Sequence, residues 1–156
     1  MCLFCSKPAT KKLEERFERH NDTITCYKVY GCELGTWEGR KRKRVLRSFF
    51  HNNKKGGWIK KPGMVISDRR YKKMNEEERT AGIINKGIHV YLSKKPADAL
   101  CARYKNHVVV PVKCRKEDLV KASLSIPKYR SAQAVFMKVE ITQKNWDRLV
   151  EKKRIR

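Results

Sequence analysis

The chain has 156 residues, with 39 Lys and Arg against 16 Asp and Glu, a formal net charge of +23 at pH 7. Its length suits one domain around one core, and an apolar fraction of 40% excludes a wholly disordered basic tail. No run approaches the roughly 20 apolar residues of a spanning helix, so the cation excess points to a polyanion, nucleic acid first and an anionic membrane second.

The amino terminus, Met1 to Pro8, lacks the long apolar run of a secretory signal. A cytosolic or nuclear location is expected, and the six cysteines are then expected to stay reduced. Residues 9–20 hold good helix formers and set Leu13 and Phe17 four apart, which predicts an amphipathic helix ending near Asn21. From Thr23 to Leu34 the β-branched and aromatic content predicts a first strand near 24–31, with Gly31 marking a bulge or a close approach. The turn signal Gly35 to Gly39 then leads to a second strand at 44–50, paired to the first as a hairpin.

Arg40 to Lys73 dominates the charge. It holds Arg40, Lys41, Arg42, Lys43, Arg44, Arg47, Lys54, Lys55, Lys60, Lys61, Arg69, Arg70, Lys72 and Lys73 against a single acid, Asp68. Phe49, Phe50, His51, Trp58 and Tyr71 lie among these cations. Cations attract phosphates and planar side chains stack on bases, so these basic residues together with Trp58 are the candidate nucleic-acid contacts. Gly56, Gly57, Pro62 and Gly63 read this region as a cationic loop, although Trp58-Ile59 and Met64 to Ile66 can each extend. Asn75 to Arg79 has helical character.

Further on, 87–92 reads as a strand, Ser93 as an N-cap, and Pro96 as part of the first turn of a helix over 94–104. A strand over 107–114 sets Val108, Val110, Val112 and Cys114 on one face, and a short helical turn over 116–121 follows. In a strand over 134–141, Val135, Met137, Val139 and Ile141 alternate with Phe136, Lys138 and Glu140. Thr142 caps a last helix over 143–151, and a basic tail closes the chain at 151–156. The sum is one α+β domain over 1–156. Its sheet is mixed or antiparallel with about five strands, and about three helices pack against it.

Other motifs carry less. Cys2-x-x-Cys5 has the spacing of a zinc knuckle, but Cys26 and Cys32 stand six residues apart on one strand, and no metal site is expected from them. His20, His51, His89 and His107 share no ligand or catalytic spacing, and Lys61-Pro62-Gly63 with Ser67-Asp68-Arg69 lacks that of a phosphate-binding loop. No cofactor is expected.

Met1 to Phe4, Trp58, Lys61 to Gly63, Ser67 to Arg69, Gly87 to Val90, Val108 to Val112 and Ala134 to Val139, in that order, loosely resemble small uncharacterised proteins of bacteriophages and large DNA viruses. The resemblance implies a viral origin and a compact α+β fold, and no activity. Separately, Gly87 to Ala99 is similar to part of the NAD-binding core of ADP-ribosyltransferases, which implies a pocket lined by His89 and Tyr91 beside Arg69. No catalytic Glu stands in a matching context. The expected function is therefore binding of DNA or RNA through phosphates without strong sequence preference. Docking on acidic surfaces of other virion proteins is one alternative, and an NAD- or nucleotide-dependent transferase is the other.

Overall fold

Leu13 and Phe17 are the buried stripe of the first helix, joined by Ala9 one turn earlier. In the computed structural model of the chain, residues 3–4, 7–38, 41–48, 58–66, 83–84, 87–123 and 132–151 are described. Among the described residues there are three α-helices: α1 (Lys7–Glu18), α2 (Lys94–Cys101) and α3 (Gln143–Glu151). The strands up to α2 are β1 (Leu3–Phe4), β2 (Thr23–Glu38), β3 (Lys41–Ser48), β4 (Trp58–Ile59), β5 (Gly63–Ile66), β6 (Ile83–Ile84) and β7 (Ile88–Tyr91). After α2 come β8 (His107–Arg115), β9 (Leu119–Ser123), β10 (Gln133–Phe136) and β11 (Lys138–Ile141). Every pairing among the described residues is antiparallel.

The fold is α+β, with nine strands in the main sheet and β1 paired with β6 in a separate ribbon. The expected five strands fall short for three reasons, one being that the strand expected over 134–141 is two, β10 and β11. Trp58-Ile59 and Met64 to Ile66, read as loop segments able to extend, are β4 and β5. The helical turn expected over 116–121 is a single 3-10 turn at Lys116–Asp118 followed by β9.

Main-sheet order is β5-β11-β8-β2-β7-β10-β9, with β3 added to β2 and β4 to β3. Only Met137 separates β10 from β11. The row from β11 through β8, β2 and β7 to β10 thus returns to the strand on which it began, and these strands form a ring. The single strand expected over 134–141 turns a corner at Met137, whose N–H donates to the Asp118 carbonyl at 2.8 Å. The corner resets the alternation. Ala134, Val135 and Phe136 are all buried before it and Val139 and Ile141 after it, while Met137, expected on the core face, is exposed.

Inside, Ile24, Cys26, Tyr30 and Cys32 of β2 meet Val110, Val112 and Cys114 of β8 and Ile88 and Val90 of β7. Helix α1 packs on β9 and sets Phe17 edge-on against Phe136, with centroids 6.0 Å apart and planes at 72°. It ends where Asn21 and Asp22 take left-handed backbone angles, which Asn and Asp tolerate better than most side chains. Thr142 caps α3 through its hydroxyl, which accepts from the Asn145 N–H at 3.3 Å. Ser93 holds the N-cap position of α2 but makes no capping hydrogen bond. Among the described residues no helix is long and apolar enough to cross a membrane.

Candidate nucleic-acid interface

One transverse row crosses four neighbouring strands. Trp58 of β4 stands opposite Arg47 of β3, Arg47 opposite Gly31 of β2, and Gly31 opposite His107 of β8. Strands lie about 4.8 Å apart, so the row spans about 14 Å.

Gly31 is where the row is lowest. A side chain there would start 3.6 Å from the Arg47 carbonyl oxygen, 3.8 Å from His107 Nε2 and 3.9 Å from Arg47 Cβ. Gly31 shows neither of its two expected features: both pairings stay in register around it, so it is no bulge, and a side chain there would meet its neighbours only at ordinary van der Waals distances, so it is no close approach. The irregularity in the β2 and β3 pairing falls between Leu34 and Trp37 instead.

His107 is fixed from its other side. Its Nδ1 lies 2.8 Å from the Lys105 carbonyl, and a carbonyl only accepts, so Nδ1 carries the proton. Asn106 makes this turn possible with a φ of 60°, and its carbonyl accepts from the Cys32 N–H at 2.6 Å. Tyr104, 43% exposed, leans on the His107 ring with centroids 5.3 Å apart and planes at 47°. Arg103 and Lys105 flank it, both exposed. Burial pushes the Tyr91 phenol up, and the nearby Arg103 guanidinium opposes that rise.

Of the candidates from sequence, Arg47 and Trp58 belong to the row, and exposed Lys60 and Lys61 follow it directly after β4. Lys41, Arg42, Lys43 and Arg44 lie further along β3, with Lys41 opposite Glu38, Arg42 opposite Trp37 and Arg44 opposite Leu34. The stretch expected as a loop before 44 is therefore strand from Lys41 onward. Arg40, Lys54, Lys55, Arg69, Arg70, Lys72 and Lys73 lie outside the described residues, as do the helical stretch near 75–79 and positions 152–156 of the tail. Sequence reading missed Gly31 as a member of the site, and with it Arg103, Tyr104, Lys105 and His107. Tyr104 and His107 fall after α2, and only the register of β2 with β8 brings His107 into the row that holds Arg47.

The opposite face of β2 carries Lys28, in step with Cys26 and Tyr30. It is buried, and its Nζ donates to the His89 carbonyl at 2.9 Å and sits 5.6 Å from the Tyr30 ring centroid. Burial pulls the amine down to about 8 and pushes the Tyr30 phenol up. Among the described residues the Tyr30 hydroxyl has no hydrogen-bond partner. Lys28 is a core cation, separate from the row.

Cys26, Cys32 and Cys114 are buried free thiols, while Cys101 is half-buried. Cys2 and Cys5 lie outside the described residues, and no group of metal-ligating side chains occurs among those described. His89 and Tyr91 are half-buried on β7, opposite Val135 and Gln133 of β10, and Arg69 lies outside the described residues. Comparison with protein-family models, curated proteins and solved structures gave no match.

Proposed function

We propose that the protein binds DNA or RNA through phosphate contacts along β3, β4 and the turn that follows, without strong sequence preference. The observation that carries this is the row itself. Register aligns Trp58, Arg47, Gly31 and His107 across four strands, and exposed Lys60 and Lys61 follow β4 directly in the chain, which supports a cationic contact surface in this part of the sheet. Cations neutralise phosphates and release counterions, which supplies affinity for any sequence. Among the described residues no helix has features that assign it to reading base edges in a groove.

A cytosolic, nuclear or virion-interior setting suits this function, because there the buried thiols stay reduced and nucleic acid is at hand. A viral source, implied by the resemblance above, is part of the same proposal. The test is binding of labelled duplex DNA, single-stranded DNA and RNA across a salt series, with anionic liposomes as the competing polyanion. Steep loss of nucleic-acid binding with salt is expected. Binding to liposomes alone would assign the charge to a membrane surface.

A further inference from the structure

We infer, resting on the nucleic-acid function proposed above, that Tyr104 and His107 form a stacking platform for unpaired bases, so that single strands are held more tightly than the phosphates alone require. Three features point to it. Tyr104 is 43% exposed although large and aromatic, and it stands in the turn after α2. Its ring and that of His107 meet at 5.3 Å with planes at 47°, and the Lys105 carbonyl pins the His107 ring at 2.8 Å. The platform is therefore preorganised, which reduces the ordering cost of binding.

The third feature is position. Gly31 leaves the surface low between His107 and Arg47, so a base on the platform has its backbone directed toward the Arg47 guanidinium. Arg103 and Lys105, both exposed, flank Tyr104 in the chain. Nucleotides of one strand rise about 3.4 Å each in a duplex, so the row of about 14 Å accommodates more than one. A base within a duplex is already stacked on its neighbours and offers no face to Tyr104. The platform thus acts on single strands.

The test compares the full chain with Tyr104→Ala and Tyr104→Phe on three ligands: a single-stranded oligonucleotide, a duplex of the same length, and an abasic strand with the same phosphates. Stacking on an aromatic side chain predicts a loss of about tenfold or more on the single strand for Tyr104→Ala. Tyr104→Phe should stay within about twofold, because it keeps the ring. Duplex and abasic affinities, and the salt slope on all three ligands, should be unchanged. An equal loss on the abasic strand, or no loss on the single strand, overturns the platform while salt-dependent binding by the unaltered chain leaves the proposed function standing. If the unaltered chain binds none of the three, both fall together.

Discussion

Arg47 and His107 stand opposite the same residue, Gly31, from the two edges of β2. A guanidinium and an imidazole are thereby held one strand apart on either side of a position with no side chain. Arg47 belongs to a basic run visible in any reading of the sequence. His107, sixty residues later, does not.

This relationship makes Gly31 a sensitive position in a specific way. Its backbone is ordinary, and a Cβ would make normal van der Waals contacts, so Gly31→Ala should fold and melt within a few degrees of the unaltered protein. Gly31→Glu fits the same backbone but sets a carboxylate between Arg47 and His107. It should weaken nucleic-acid binding severalfold or more at low salt, and Gly31→Ala by less than about twofold. Fluorescence anisotropy at two salt concentrations checks both, and equal losses for the two variants would remove Gly31 from the interface.

Lys28 predicts a pH dependence of stability. Its amine titrates at about 8 when folded, against 10.5 for an unperturbed lysine. Between those values the unfolded chain holds the proton that the folded chain has released, so this group makes stability rise with pH across that window and adds no slope below it. A depression of that size corresponds to about 3 kcal/mol. Urea unfolding at pH 7, 8, 9 and 10 should show the rise as a difference from Lys28→Met, which lacks the titrating group. Lys28→Met should also be the more stable protein at pH 7, since a methionine fills the space without a buried charge. Identical pH profiles for the two proteins would show that Lys28 does not titrate in this range.

Phe17 ties α1 to the ring of strands through Phe136, and both are fully buried. Phe17→Ala should cost about 4 kcal/mol, from lost burial and the cavity left behind. Chemical denaturation measures it directly. A cost below about 1 kcal/mol would mean that α1 is not docked on β9 as described.

Local pattern made the helices and the core strands legible. Leu13 and Phe17 at helical spacing, Val108 to Cys114 in alternation, and Thr142 as a cap all hold in the structure. The corner at Met137 was not legible, because alternation read straight through 134–141 has no residue that announces a phase shift. Met137 looks like any other apolar strand residue. The turn at Asp118 that receives its N–H lies 19 residues away in sequence.

The candidate site divides in the same way. Arg47, Lys60, Lys61 and the cations of β3 stood out because charge density is a local property. The lysines and arginines could not show which aromatics would join them, since that depends on β2 pairing with β3 and β8 at once. Lys28 was hidden for another reason. A lysine in a strand reads as solvent-facing, yet its place between Cys26 and Tyr30 turns it inward.

The most direct measurement of the central claim is the salt dependence of affinity for duplex DNA, made on the unaltered chain and on a variant with Lys41, Arg42, Lys43 and Arg44 replaced by glutamine. With about six phosphates neutralised, the logarithm of the binding constant should fall against the logarithm of salt with a slope near −5. The fourfold variant should flatten that slope by about one for each phosphate contact removed, and weaken unrelated sequences alike. A variant that binds as tightly and with the same slope, or an unaltered chain with no affinity at near-physiological salt, would contradict the account.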